Sequence, residues 1–213
     1  MLTRQSHISN FSFKLNFSEE IDNFFERDGK RFLEIPLIRF NYLSFKLIQT
    51  GEEKYFFLLK KFLTEHFHGI NANERKNIQT VLENYCYTKV TEGRIEFVKE
   101  QFNLYRESVE KGTHIGSPEY ISNIFFMSIV ATGLEAGEHD WIEKFIKEKI
   151  HDVKEALRTD TEHFSNALCS YWKKDYENSI NELSKVRSED FAFKHNIKSL
   201  TLKIYYDLNE SEP

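Results

Sequence analysis

Glycine and proline are scarce in this sequence, whose 213 residues include 8 Gly and 3 Pro. Both residues mark turns and loops, so their scarcity makes disorder unlikely for most of the chain. Hydrophobic residues make up 40% of the chain and aromatic residues 15%. This much apolar content is enough to bury a core, and we therefore predict a folded, mostly helical protein.

A basic excess and a long apolar run are also missing. The formal net charge is -5 and the sequence pI is about 5.9, whereas a general nucleic-acid binder usually has a basic face and a high pI. No stretch approaches the roughly 18 consecutive apolar residues that a membrane-spanning helix needs, and the N-terminal segment lacks the apolar core of a secretory signal. We expect a cytoplasmic protein that binds neither nucleic acid nor membrane.

Cysteine is the third scarce residue, with two in the chain. Cys86 and Cys169 each fall among apolar neighbours inside a predicted helix. Free cysteine behaves as a small hydrophobic residue when it is buried, and intracellular thiols usually stay reduced. We therefore interpret both as buried core residues rather than as a disulfide pair.

Short catalytic and cofactor motifs are absent from the sequence: it contains no GxGxxG, P-loop, GxSxG, HExxH or CxxC. His66 and His68 lie two residues apart on a predicted helix, so they point to different faces and favour a surface pair over a metal site. Asp140 and Glu143 have capping-box spacing, which explains them without catalysis. We expect no catalytic residue, no metal and no cofactor, and an enzyme is the third-ranked functional class.

The positive signal is a recurrence of short polar elbows that interrupt apolar helical stretches. The elbows lie around Gly51, Gly93, Gly137, Lys174 and Asn209, about 35 to 44 residues apart. Such a period is typical of stacked helical hairpins. Seven residues before the elbows stand Ser44, Cys86, Val130, Ala167 and Leu202, which are mostly small. Any set of amphipathic helices can be aligned so that some positions agree by chance, so the repeat register of these five segments is a hypothesis.

Apolar residues at three- and four-residue spacing predict helices on both sides of each elbow. Residues 1–30 are predicted to be an arm and a short helix, and residues 31–213 a helical repeat array. The predicted boundary residues of the first helices are Ser18 as the cap of the short helix, Pro36 in the first turn of the next helix, and Gly69 at a helix end with positive φ. Asn71 and Asn73 are predicted to form a turn, and Gly112 to end a helix. Ser117 and Pro118 are predicted to start the third hairpin, which has Ile121 in its apolar stripe, and Ser188 to cap a last helix over residues 189–208.

Two segments resemble the tetratricopeptide repeat. The sequence ALCSYWKKDYENSINELSKV, residues 167–186, has a small residue and an aromatic residue late in the first helix, an Asp-Tyr elbow, and a small residue, Ser179, in the second helix. TGLEAGEHDWIEKFI, residues 132–146, looks like a degenerate neighbouring copy. Residues 36–208 are in this sense similar to tetratricopeptide-like proteins of Bacteroidetes. The resemblance implies stacked antiparallel hairpins, about four and a half of them, and a binding function.

Aromatic residues outside the apolar stripes are the candidates for partner binding. They either pack between neighbouring helices or line a concave groove for a peptide or protein segment. These residues are Phe45, Tyr87, Phe126, Trp172 and Tyr205. At the C-terminal helix, Leu202 and Ile204 are the candidates for an exposed interface, which we expect to be covered by a second copy in a homodimer, by a partner, or by further residues of the protein.

These observations together favour an all-α array of tetratricopeptide-like hairpins that acts as a non-catalytic scaffold or adaptor for another protein. The alternative is a regulatory sensor that holds a peptide or a small ligand in its groove. The sequence does not name the partner.

Overall fold

A computed structural model describes residues 6–8, 11–13, 17–112 and 120–208. Within these ranges the fold is all-α, as predicted, apart from one pair of three-residue antiparallel strands, β1 (Ser6–Ile8) and β2 (Phe11–Phe13), in which Ser6 lies opposite Phe13. The α-helices of these ranges are α1 (Ser18–Arg27), α2 (Pro36–Thr50), α3 (Glu53–His66), α4 (Ala72–Thr91), α5 (Glu96–Glu110), α6 (Asn123–Glu135), α7 (His139–Lys149), α8 (Glu155–Trp172), α9 (Tyr176–Lys185) and α10 (Phe191–Asp207). No helix in the described part of the chain is long and apolar enough to cross a membrane.

The helices break at the predicted elbows. Gly51, Gly93, Gly137 and Lys174 follow the ends of α2, α4, α6 and α8, and all four have positive φ, between 61° and 86°. Three are glycines, which adopt this conformation without a Cβ penalty. The fifth elbow, Asn209, lies outside the described residues.

The third and fourth elbows have the same hydrogen-bond pattern. At the end of α6, the N–H groups of Gly137 and Glu138 donate to the carbonyls of Leu134 and Gly133, with N···O distances of 3.1 and 2.9 Å. At the end of α8, Lys174 and Asp175 repeat this pattern toward Tyr171 and Ser170, both at 2.9 Å. These are Schellman motifs, which satisfy the last carbonyls of a helix while the chain reverses.

Several predicted helix starts are displaced by one or two residues. The helix α1 begins at Ser18 itself, with Phe17 in the N-cap position. Glu138, rather than Asp140, precedes α7, so Asp140 lies inside the first turn, where its charge faces the positive end of the helix dipole. Asp190, rather than Ser188, accepts the backbone N–H of Phe193 at the start of α10. The N-cap residues of α1 and α7 make no side-chain capping hydrogen bond, so these two starts differ from the capping that the sequence predicts.

Two further predictions about the backbone are wrong. Gly69 ends a 3-10 turn, Phe67–Gly69, and is not among the glycines with positive φ. Ile121 is extended rather than helical, because its N–H donates to the carbonyl of Asp152 at 2.8 Å and it pairs with Val153. The predicted start at Ser117 and Pro118 lies outside the described residues.

The chain divides into two compact units, residues 1–92 and 93–213. In the first unit, α2 packs on α3 and both pack on α4. The ring of Phe56 stacks on Tyr85 with centroids 5.1 Å apart, and the Tyr85 hydroxyl donates to the carbonyl of Gly51 at 3.1 Å. The sequence predicts a boundary near residue 30, but α1 contacts α2 directly: Lys46 Nζ lies 2.9 Å from Asp22 Oδ1.

The second unit is built from α5 to α10. The hairpin of α6 and α7 and the hairpin of α8 and α9 pack side by side through α6 and α8, and α10 lies against α8 and α9. Gly133 makes the contact between α6 and α7 close, because a Cβ built there would lie 2.4 Å from Ile142 Cδ1 and 2.8 Å from Phe102 Cε2. The C-terminal part of the core is formed by Phe164, Ala167, Leu183, Phe193, Leu200 and Ile204.

Small residues hold α8 and α9 together, at the position that the repeat register predicts. Ala167 and Ser179 are both fully buried, and Ser179 Oγ donates to the carbonyl of Ala167 at 2.8 Å. We expect a larger side chain at either position to push α8 and α9 apart.

We expect Ala167→Leu to lower the free energy of unfolding by about 1 to 3 kcal/mol, because extra methylenes in a well-packed core force neighbouring helices apart. Chemical denaturation followed by circular dichroism measures this change. Ala156→Leu, at an exposed position in the first turn of the same helix, is the matched control and should melt like the parent. Equal stability of both variants would contradict the close packing of α8 on α9.

Candidate functional site

The predicted partner-binding aromatics have different environments. In the first unit, Tyr87 is exposed and Phe45 is half-buried. In the second unit, Trp172 is exposed at the end of α8, where its ring lies 6.1 Å from that of His139, and Tyr205 is exposed on α10.

Phe126 is not a surface candidate, because its side chain is 0% exposed. Its ring lies 4.6 Å from that of Phe145. The helix α6 is apolar on nearly its whole circumference and packs on α5, α7 and α8. A single apolar stripe therefore underestimates how much of α6 is buried, and of the two alternatives for Phe126, packing between helices and lining a groove, the structure has the packing.

The predicted C-terminal interface is also corrected. Ile204 is 0% exposed and belongs to the core formed with α8 and α9, whereas Leu202 is 71% exposed. The two residues lie on opposite sides of α10, since a step of two residues turns a helix by about 200°. Leu202 alone remains available to a partner.

A cleft of about 590 Å³ is formed by α7, α8, α9 and the 3-10 turn Ile150–Asp152. Its floor is one face of α8, where Glu162, Asn166, Cys169, Ser170 and Lys173 follow one another at helical spacing. One wall comes from α7 and the other from α9. We refer to this feature as the α8 cleft.

Amide and hydroxyl groups dominate the centre of the α8 cleft. Asn178 Nδ2 donates to Ser170 Oγ at 2.8 Å, which fixes the orientation of both side chains. The half-buried Asn166 side chain has no hydrogen-bond partner among the described residues. Its amide offers two donors and an acceptor to a bound molecule.

Charged groups at the rim of the α8 cleft are partly paired with one another. Glu143 Oε1 lies 2.6 Å from Lys173 Nζ, and this contact raises the pKa of the lysine. On the α9 side, burial raises the pKa of Glu182, but hydrogen bonds from Lys185 and His163 outweigh it, so the pKa is lowered overall. The rim therefore carries fixed charges of both signs.

Cys169 lines the α8 cleft but is poorly suited to act as a nucleophile. Its side chain is buried, and burial together with the nearby Glu143 raises the pKa of the thiol to about 11. The thiolate is the reactive form, so this cysteine is unreactive near neutral pH. Cys86 is also buried and free, so the prediction of two small core residues is confirmed.

The histidines considered for metal binding have other neighbours. The ring of His66 lies 4.6 Å from that of Phe62, and His68 is exposed. Among the described residues there is no group of three or more His, Cys, Asp or Glu side chains that could hold a metal ion.

The α8 cleft was missed in the sequence, although a signal for it exists. Asn166 and Ser170 are polar residues four positions apart on a helix, and the residues around them in the sequence are mostly apolar. The nearby Thr161 and Ser165 conceal this signal, since they are buried polar residues whose hydroxyls donate to carbonyls of their own helix, at 2.7 Å each. The sequence alone does not distinguish a Ser or Thr that bonds to its own helix backbone from a polar residue that is available to a ligand.

Among the described residues of the first unit, Glu83 is the titratable group whose pKa is changed most. Burial raises its pKa to about 7, although a hydrogen bond from Gln79, 3.0 Å from Nε2 to Oε1, acts in the opposite direction. In the unfolded chain a glutamate titrates near its ordinary value of 4.5. Between these two values the folded state binds the additional proton.

We expect the protein to lose stability as the pH rises from about 4.5 to about 7. In this range the unfolded state releases the proton of Glu83 readily, whereas the folded state has to keep it or bury a charged carboxylate, so rising pH favours unfolding. Glu83→Gln removes the ionisable group and should flatten this part of the profile and raise the melting temperature at pH 8. Glu92→Gln, at an exposed end of α4, is the control. Parallel profiles for the parent and Glu83→Gln would show that Glu83 is not the group responsible.

Comparison with known proteins gives no relative: no family model, no curated protein and no solved structure matches this chain. The tetratricopeptide resemblance therefore stays a prediction, and the function has to be argued from the surfaces described above.

Proposed function

We propose that the chain is a non-catalytic scaffold or adaptor that binds a segment of another protein in the α8 cleft. The observation that carries this proposal is the Asn166 amide, which is half-buried on the cleft floor and without a partner among the described residues. Side-chain amides bind extended peptides well because they can donate to a backbone carbonyl and accept from a backbone N–H at once. Ser170 and Asn178 already hold each other in place, so little ordering is needed on binding.

The architecture supports the same role. We propose that the hairpins form a tetratricopeptide-like array, and two observations support this: the repeated Schellman elbows at Gly137 and Lys174, and the small buried pair Ala167 and Ser179. Arrays of this kind present side chains from consecutive helices on one surface and use that surface for binding. The two reduced cysteines suit a cytoplasmic location, which belongs to the same proposal.

A displayed library of random 12-residue peptides, selected on the immobilised protein, tests this role. Peptides that bind the cleft should lose at least about tenfold in affinity on Asn166→Leu, which is about 1.4 kcal/mol. Glu177→Ala, exposed on α9 outside the cleft, is the matched control and should bind like the parent. Enriched peptides that bind Asn166→Leu and the parent equally would contradict the cleft as the binding site.

A regulatory sensor for a small polar ligand is the second candidate, and the volume of the cleft favours it. About 590 Å³ lies within the range of small-molecule sites, roughly 300 to 1,000 Å³. A ligand present at 100 times its dissociation constant stabilises the folded state by about 2.7 kcal/mol. A thermal-shift screen with the parent and Asn166→Leu distinguishes the two roles, since a sensor requires a ligand that raises the melting temperature of the parent alone.

A further inference from the structure

We propose that the outer face of α10 binds an amphipathic helix of a partner protein that carries acidic residues among its apolar ones. The residues of this face are Phe191, His195, Lys198, Leu202, Tyr205 and Tyr206, which we call the α10 stripe. This surface is separate from the α8 cleft, and the inference does not depend on what the cleft binds.

The helix α10 has two opposite apolar faces. Its inner face carries Phe193, Leu200 and Ile204, which are buried against α8 and α9. The residues of the α10 stripe fall within about 100° of arc on the other side, at 100° per residue. Phe191, Leu202 and Tyr206 are 83%, 71% and 78% exposed. Leu202 and Tyr206 lie one turn apart on this face, and exposed apolar side chains that adjoin one another mark a binding surface.

The α10 stripe is held in a fixed position before any partner arrives. The inner face anchors the helix in the core, and at its C-terminal end the Tyr171 hydroxyl donates to Asp207 Oδ2 at 2.8 Å. The ring of Phe191 lies nearly parallel to that of His195, with centroids 6.4 Å apart. A partner therefore meets a helix that is already anchored in the core and does not have to order its backbone.

The charge of α10 identifies the chemistry of the partner. The helix contains Lys194, Lys198 and Lys203, and its one acidic residue, Asp207, already accepts the Tyr171 hydroxyl. Lys194 pairs with Glu189, just before the helix. Lys198 lies in the middle of the α10 stripe and has no acidic partner within the described part of the chain. An acidic residue on the partner helix, placed between apolar residues, would complement Lys198.

The position of Lys198 also argues against the two other occupants of such a face. A second copy docked by two-fold symmetry would bring the two Lys198 side chains close together, since the same residues form both halves of the contact. An anionic membrane would gain little from the single lysine of this stripe. It would also draw Lys198 in with Phe191 and Leu202, whereas helices that lie on membranes keep their lysines on the polar side.

A displayed library of 18-residue peptides, with leucine at heptad positions a and d and every other position random, provides the test. Selection uses the whole protein, with counter-selection on the double variant Leu202→Ser, Tyr206→Ser, whose changes are confined to exposed side chains. We expect enriched peptides to carry Asp or Glu and to lose at least tenfold in affinity on Lys198→Glu. Replacing the acidic residue of the peptide by lysine should restore binding to Lys198→Glu.

Asn166→Leu should bind these peptides like the parent, so a failure of the α8 cleft proposal is distinguishable from a failure here. The inference is overturned if no peptide is enriched over the double variant, or if enriched peptides lack acidic residues or ignore Lys198→Glu. Self-association of the parent that Leu202→Ser abolishes, measured by light scattering, would assign the stripe to a second copy and overturn it. So would binding to vesicles with 30% phosphatidylserine that Lys198→Glu abolishes.

Discussion

Phe126→Ala is expected to lower the free energy of unfolding by about 3 to 5 kcal/mol, because it removes a fully buried ring and leaves a cavity that the surrounding helices fill only in part. The ring lies in the core of the second unit, against Phe145. Equilibrium denaturation in guanidinium chloride measures the loss. A change this large is a substantial part of the stability of an ordinary domain, so partial unfolding at 37 °C is expected.

Ile124→Ala is the matched control for this prediction. Ile124 precedes Phe126 on the same helix, α6, and is 59% exposed, so its truncation should change stability by no more than about 0.5 kcal/mol. If Phe126→Ala retained the stability of the parent but lost a partner, Phe126 would be a surface residue after all. Loss of stability in Ile124→Ala and not in Phe126→Ala would reverse the orientation of α6.

The elbows could be predicted from the sequence because they depend on local chemistry. Gly51, Gly93 and Gly137 supply the positive φ that a helix end favours, and each is followed by residues that start another helix. Lys174 adopts the same conformation without being glycine. Its position was recognisable from the surrounding polar turn, whose Asp175 accepts the N–H of Asn178 at the start of α9.

The orientation of two helices could not be predicted with the same accuracy. A helix that is polar on one side shows its buried face through its period, and α5 does so: Val98, Phe102 and Tyr105 follow one another at spacings of four and three residues, and all three are buried. The helix α6 is apolar nearly all round, so the period does not distinguish Phe126 from the stripe residues. The helix α10 has two apolar faces, and only the packing on α8 and α9 shows which is the inner one.

The candidate binding surfaces were predictable in part. Tyr205 and Leu202 were identified in the sequence and are exposed on α10, and Trp172 is exposed at the end of α8. The α8 cleft could not be predicted, because it depends on tertiary packing. Its walls come from α7 and α9, and the face of α8 that forms its floor depends on how α8 is oriented between them. No spacing along the sequence carries that information.

Ile204→Glu and Leu202→Glu, two apolar-to-acidic changes two residues apart, should differ sharply in their effect on stability. Ile204 lies on the inner face of α10 and is fully buried in the core of the second unit. Replacing it by glutamate loses a buried apolar side chain and places a carboxyl group where water does not reach it. We expect a loss of about 3 to 5 kcal/mol, with α10 released from α8 and α9. Thermal melts and hydrogen exchange along α10 measure both effects.

Leu202→Glu places the same side chain on the exposed face of the helix, where water already solvates most of the leucine. Its melting temperature should therefore stay close to that of the parent. Because this variant puts an acidic group one turn from Lys198, it should also repel the acidic helices that we propose for the α10 stripe. A folded Leu202→Glu that no longer binds them, beside an Ile204→Glu that no longer folds, would separate the two faces of α10. Equal melting temperatures for both variants would contradict the assignment of its inner and outer sides.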